Sequence, residues 1–313
     1  MEKQVKKSKG RKALRIIIII VAFLIISNAI ATKPIYDMIF GRSDKESYDY
    51  EKEDYADLLS SRTQIDIKEG SETIRAYLYD VPEEKGLIVI APGLNSGADM
   101  YVPMSAYFND EGYDVFAFDP YGCDGSTGKS QKGFPQESID LKACLDYVKE
   151  NLPDEDIYLF GHSRGGYSVC CVDEKDYNIK AICSVSGLNS AMEAVMGLSS
   201  MYVGPVAYSN YHNLALYQMI LFGKDLTLQR ADKIISAGSV PVLVVQGSED
   251  SKSPEEKYSI YSHRASMPRS GVSFILKTEE GSNGHTDIMF DENGKYGLNE
   301  ELMQEILAFF GDR

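Results

Sequence analysis

The chain has 313 residues, 43% hydrophobic and 25% charged, with 26 glycines and 11 prolines. That usage excludes a collagen-like or wholly disordered chain and leaves enough apolar surface for a substantial core. The net charge of −15 argues against a broad nucleic-acid surface.

The charge is unevenly spread. Lys3, Lys6, Lys7, Lys9, Arg11, Lys12 and Arg15 precede Ile16, against the single acid Glu2. Ile16 to Ile26 is an unbroken apolar run, followed by Ser27, Asn28 and then Ala29-Ile30-Ala31. A basic stretch ahead of an apolar one predicts a membrane-targeting helix over residues 1–40. It reads as a retained signal anchor or as a secretory signal cleaved near Ala31, with a buried helix of a soluble domain as the third and least favoured reading. A helix over 14–31 spans about 27 Å, marginal against a hydrocarbon core of about 30 Å. In both readings the cations stay inside, and the rest of the chain lies outside the cytoplasm. With the helix retained, the membrane becomes a partner. Residues 41–60 are polar and acid-rich and read as a linker to a domain over 61–313.

From residue 63 the pattern changes. TQIDI at 63–67 and TIRAYLY at 73–79 alternate like an antiparallel hairpin. Short, nearly continuous apolar runs then alternate with helical stretches. GLIVIAP at 86–92 precedes a helix near 99–111, YDVFAFD at 113–119 a helix near 136–150, and IYLFG at 157–161 a helix over about 164–173. AICSVSG lies at 181–187, VPVLVVQG at 240–247 and VSFILK at 272–277. A last helix near 298–310 places Leu298, Leu302, Ile306, Leu307 and Phe310 at helical spacing. Continuous apolar strands alternating with helices predict a mostly parallel sheet covered on both faces. The stretch 188–232 is too long for a simple crossover and is rich in Met and Tyr, so it predicts a helical cap insertion over one end of the sheet. Cys123, Cys144, Cys170, Cys171 and Cys183 have no disulfide spacing and read mainly as buried thiols.

The strongest chemical signal is Gly161-His162-Ser163-Arg164-Gly165. It follows an apolar strand and opens a helix, the context that a nucleophile elbow needs. Flanking glycines let neighbouring elements approach a tightly turned serine. The helix N-terminus aims its amides at an oxygen that becomes negative during attack. A serine nucleophile needs a base, and the base needs an orienting acid. His285, in GSNGHTD, and Asp250, in QGSEDSKSP, both follow strands and so belong at the same sheet edge as Ser163. Glu249 and Asp287 are the competing acids. His162 reads as structural support beneath the elbow, and His263, in a helical stretch beginning near Pro254, as unrelated to chemistry. His212 in the cap is a weaker candidate for substrate contact. No HExxH, CxxC or clustered carboxylate set appears, and the glycine-rich stretch at 122–128 lacks a nucleotide-binding pattern. Neither a metal nor another cofactor is therefore expected.

These residues together resemble the α/β-hydrolase superfamily, especially serine hydrolases with monoacylglycerol-lipase-like or serine-aminopeptidase-like cores. GHSRGG resembles the nucleophile motif, QGSED the acid loop, NGHTD the histidine loop and IVIAPGLNSGADMY the strand and oxyanion loop. In that last segment Pro92-Gly93 stands where His-Gly often occurs. The resemblance covers roughly 63–313. It implies a Ser163–His285–Asp250 triad with the backbone N–H groups of Leu94 and Arg164 as oxyanion donors, and an inserted helical cap. Met, Tyr, Leu and Val dominate the cap, where Glu193 is the only acid before Asp225. That composition favours hydrolysis of an ester with a small to medium apolar acyl group. Peptidase or amidase activity on a short peptide is the alternative within enzymes, and a non-catalytic binding protein on the same fold is the alternative outside them.

Overall fold

A computed structural model describes residues 2–44, 50–252, 257–290 and 297–311. Residues 45–49 of the expected linker, and the beginning of the helical stretch expected near Pro254, lie outside them.

After the N-terminal helix α1 (Glu2–Ile39) and a short α2 (Ala56–Ser61) come β1 (Thr63–Glu69) and β2 (Glu72–Tyr79). They pair antiparallel in register Thr63↔Leu78 through Glu69↔Glu72, with Gly70 at φ +61° making the turn. The chain continues through β3 (Leu87–Ala91), α3 (Val102–Asp110), β4 (Asp114–Asp119), α4 (Phe134–Asn151), β5 (Ile157–His162), α5 (Arg164–Val169) and β6 (Ile179–Val185). The insertion follows as α6 (Ala191–Val203), a 3-10 turn over Gly204–Asn210, α7 (Tyr211–Leu228) and α8 (Ala231–Ala237). The chain then returns to the sheet through β7 (Val242–Gly247) and β8 (Val272–Lys277) and ends on α9 (Glu300–Gly311). The eight strands form one sheet in the order β1-β2-β4-β3-β5-β6-β7-β8, in which β2 runs antiparallel to both neighbours and β3 to β8 are parallel. This is the expected mostly parallel sheet with an inserted helical region, the α/β-hydrolase fold.

The continuous apolar runs are explained by burial on both faces. Leu87, Val89 and Ala91 of β3 face a core containing Leu141, Leu145 and Val148 of α4. Ile88 and Ile90 face the opposite core, with Phe108 of α3 and Leu302, Ile306 and Phe310 of α9. All five cysteines are buried and free. The register aligns Ala91 with Gly161 and His162 with Val185, so β3, β5, β6 and the strands beyond end at one edge.

The membrane expectation is overturned. Among the described residues, no helix is long and apolar enough to cross a membrane. The unbroken run Ile16–Ile26 spans only about 17 Å as a helix, roughly half of what a bilayer core requires. The membrane-anchored location and the membrane as a partner both required a spanning helix, and both are withdrawn. The end of α1 is instead part of the domain's packing. Tyr36, Ile39 and Phe40 are buried in the same core as α4, and burying an aliphatic or aromatic side chain of this size stabilises by about 1.5–3 kcal/mol. Tyr36 packs edge-on against Tyr217 of α7, and Asn210 Nδ2 donates to Thr32 Oγ1 at 3.1 Å.

The insertion begins with a capped helix. Ser190 Oγ accepts from the Glu193 N–H at 3.1 Å, satisfying one orphan amide of α6. Leu214 and Gln218 of α7 are buried, while Leu216 and Ile220 on the same helix are exposed. Much of the apolar surface of the cap is therefore turned outward rather than toward the sheet edge.

Candidate active site

Ser163 sits between the last residue of β5 and the first of α5, at φ +56° and ψ −113°. A non-glycine residue in that region carries strain of order 1–3 kcal/mol and is held only by its surroundings. Here the surroundings are backbone. A Cβ on Gly165 would lie 1.9 Å from the Ala91 carbonyl oxygen, and one on Gly161 would lie 2.4 Å from the Gly165 oxygen. The two glycines let α5 approach β3 and β5 closely enough to force the serine outward. The Ser163 N–H is tied to Val185 O at 2.9 Å, which fixes the turn to β6.

Three loops converge on this serine. His285 Nε2 lies 2.8 Å from Ser163 Oγ. His285 Nδ1 lies 2.9 and 2.8 Å from the two carboxylate oxygens of Asp250. Asp250 can only accept, so Nδ1 carries the proton and Nε2 is free to accept from the serine hydroxyl. The carboxylate is itself placed by Gln246 Nε2 at 3.1 Å and the Lys252 N–H at 2.9 Å. All three of Ser163, Asp250 and His285 are buried. Glu249 and Asp287, the competing acids, are exposed, and neither is the partner of Nδ1.

His162 supports the site from below, as its place in the motif suggests. Its Nε2 donates to the carbonyl of His285 at 2.9 Å, which leaves Nδ1 to accept from Tyr101 OH, also at 2.9 Å. Tyr101 OH in turn accepts from the Gly93 N–H at 2.9 Å. One buried chain therefore joins the loop after β3 to the backbone of the histidine loop. Burial pushes the His162 imidazole down from 6.5 to about 3, so it stays neutral when folded. The unfolded chain takes up this proton below about pH 6.5 and the folded chain does not. Stability from this group is thus complete above about pH 6.5 and is lost as the pH falls toward about 3, by up to about 1.4 kcal/mol per pH unit. His162→Gln is expected to be less stable at pH 8 and to show a shallower acid loss. Denaturant titrations of both proteins at pH 8, 6 and 4.5 measure the two slopes, and equal slopes would refute the assignment.

Leu94 lines the cavity at Ser163, and Arg164 opens α5, where its N–H is one of the amides that a helix leaves unpaired. The Arg164 guanidinium is fully buried in an ion pair with Glu137 of α4. Burial pushes the Glu137 carboxyl upward against the pull of that cation. The side chain is thus committed to the core, and only the main chain of Arg164 is offered to a ligand.

The cavity over Ser163 measures about 620 Å³. Its lining includes apolar side chains, Ile39 from α1, Phe134 from α4, Leu94, Met100, and Leu188, Leu198, Met201 and Tyr202 from the insertion, together with the polar Asn95, Ser96, Lys252 and Thr286. Met192, Met196 and Glu193 line a separate cavity of about 290 Å³ within the cap, away from Ser163. His212 is exposed, and His263 lies 3.7 Å from Glu193 beside that second cavity. Tyr101 and Gln246 fall inside the segments IVIAPGLNSGADMY and QGSED, which assign them no role, and the α1 residue Ile39 carries no motif.

A family model described as alpha/beta hydrolase fold matches residues 86–200. No curated protein matches the chain. Among solved structures, the Pyrococcus furiosus esterase Pf2001 is similar at 17% identity, with a TM-score of 0.63 over 87% of this chain and 98% of that one. The hydrolase GrgF from Penicillium sp. sh18 is 16% identical, with a TM-score of 0.58 over 80% and 97%. Est1E from Butyrivibrio proteoclasticus, solved with ferulic acid, is 22% identical, with a TM-score of 0.56 over 79% and 96%. At these identities the likeness establishes the fold alone.

Proposed function

We propose that the protein is a serine hydrolase that cleaves a carboxylic ester with a small to medium apolar acyl group. The observation that carries this reading is the continuous hydrogen-bonded chain from Ser163 Oγ through His285 to Asp250, opening into a cavity lined largely by apolar side chains. Ser163 Oγ attacks the ester carbonyl as its proton passes to His285 Nε2, and the new C–O bond places negative charge on the former carbonyl oxygen. The N–H groups of Leu94 and Arg164 receive that charge. The intermediate collapses by breaking the bond to the alcohol, which leaves with the proton held on Nε2. A water molecule then attacks the acyl-enzyme by the same route in reverse order. Asp250 holds the imidazole in the tautomer that makes each transfer possible and stabilises it when protonated.

The cavity supports an ester over a peptide with a free amine. A site for an ammonium group needs a carboxylate, and the described residues lining the Ser163 cavity include no Asp or Glu. Glu193, the only early acid of the cap, lies in the other cavity and is paired with Arg230 at 3.3 Å. A fluorophosphonate probe should label the wild type and leave Ser163→Ala unlabelled. Unlabelled wild type would favour a non-catalytic binding protein. On a matched panel, p-nitrophenyl acyl esters should exceed aminoacyl p-nitroanilides in kcat/KM by about tenfold or more, or about 1.4 kcal/mol in transition-state stabilisation. A preference for the anilides would replace the esterase reading with the peptidase one.

A further inference from the structure

The peptide units before and after the Gly93–Leu94 peptide are each clamped, and the second clamp leads back to the N-terminal segment. We propose that Gln131 positions the Leu94 amide as an oxyanion donor, with residues 40–43 holding Gln131 in place. The proposal rests on the reading above, in which that amide receives the developing charge.

On one side the Gly93 N–H donates to Tyr101 OH at 2.9 Å. On the other the Asn95 N–H donates to Gln131 Oε1 at 3.0 Å. Asn95 has φ +63°, a conformation that a non-glycine residue keeps only under constraint. Gln131 supplies a two-point clamp, because its Nε2 also donates to Asn95 Oδ1 at 2.6 Å. The Gly93–Leu94 peptide, which carries the Leu94 N–H, therefore lies between two fixed peptide planes, and its direction follows from theirs.

Gln131 is fully buried, and its other donated hydrogen bonds go to the segment after α1. Its Nε2 donates to Gly41 O at 2.9 Å and its backbone N–H to Phe40 O at 2.8 Å. Arg42 holds the same strap down by donating to the carbonyls of Asp124, Ser126 and Gly128 at 2.7, 2.9 and 2.9 Å. Ser43 Oγ reaches the Asn95 carbonyl at 3.3 Å, and Ile39, just before the strap, lines the cavity over Ser163. A donor stabilises an oxyanion most when it is aimed in advance, so that no reorganisation is needed during attack. Without the Gln131 oxygen, the Asn95 N–H loses its acceptor and the loop must turn to find another.

A buried glutamine that merely satisfies its neighbours would affect stability alone. A positioning residue would affect how the enzyme treats the carbonyl oxygen. The test compares an oxo ester with its thiono ester, whose sulfur is a poor acceptor for the same amides. The wild type should prefer the oxo ester by about 10²-fold or more. Gln131→Met keeps the side-chain length without hydrogen-bonding oxygen or nitrogen. It should lower kcat on the oxo ester by about 10- to 100-fold with KM within about threefold, and should shrink the oxo-to-thiono ratio by a similar factor. Gln131→Glu, kept protonated by its burial, retains an oxygen for the Asn95 N–H and an O–H donor for the Gly41 carbonyl, and should hold the ratio within about fivefold of wild type. It carries the test by itself should Gln131→Met fail to fold. A wild-type ratio in folded Gln131→Met, or a collapsed ratio in folded Gln131→Glu, overturns the proposal. A wild type without oxo preference that is still labelled at Ser163 overturns the oxyanion reading beneath it while leaving the nucleophile in place.

Discussion

Ser163→Ala is expected to lower kcat by roughly 10⁴- to 10⁶-fold, with KM little changed and a melting temperature near that of the wild type. The hydroxyl is one small group whose partner, His285 Nε2, sits at the cavity wall, so its loss removes the bond-forming atom without opening the core. His285→Ala should cost a similar factor, and the double variant should be no slower than either single one, because a nucleophile without its base and a base without its nucleophile fail at the same step. Asp250→Asn should cost about 10⁴-fold by a different route: an amide can donate to Nδ1, which stabilises the tautomer that keeps Nε2 protonated. Turnover of a p-nitrophenyl ester by the four proteins, each checked by thermal melting, measures all of this. Losses of Ser163→Ala and His285→Ala that multiply in the double variant would mean that the two groups act independently, and the triad reading would not survive.

The elbow was legible in the sequence because its geometry is local. A strand, a serine between glycines and a helix are contiguous, and the strain at Ser163 needs only the close approach that Gly161 and Gly165 permit. Asp250 and His285 were legible because parallel strands send their following loops to one edge. The supports of the site lack both advantages. Tyr101 and Gln131 make contacts 8 to 91 residues away in the chain, as in Gly93–Tyr101 and Phe40–Gln131, and a lone Tyr or Gln has no periodicity to announce it. The N-terminus misled for a related reason. Cations ahead of five isoleucines have the composition of a targeting segment, but composition does not show that Tyr36, Ile39 and Phe40 at the end of the same helix have a core to enter. In the cap, Met-rich composition identified an insertion but could not divide its side chains among the Ser163 cavity, the smaller cavity and the surface. That division depends on the rotation of α6, which turns Met192 and Met196 to one cavity and Leu198 and Met201 to the other.

The largest stability loss is expected at Gly165. A methyl group there would stand 1.9 Å from the Ala91 carbonyl oxygen, 2.4 Å from its carbon and 2.6 Å from the Pro92 oxygen. All three atoms are main chain at the end of β3, where no rotamer change can make room. Either α5 must lift from the sheet, or the end of β3 must move and carry Gly93 and Leu94 with it. Gly165→Ala should therefore destabilise by about 3 kcal/mol or more, at or beyond the upper end of ordinary overpacking. For a domain of this size that lowers Tm by roughly 6–12 °C. Gly204→Ala separates crowding from backbone conformation. Gly204 has φ +65° and nothing within 4 Å of an added Cβ, so alanine there should cost only about 1 kcal/mol. Activity offers a second measure. Folded Gly165→Ala should lose kcat beyond its loss of stability, because relief of the clash moves the loop that carries the Leu94 amide. A Gly165→Ala protein that melts within about 2 °C of wild type and turns over normally would show that the elbow is not held by this contact, and the account of how Ser163 is kept in its strained conformation would have to be abandoned.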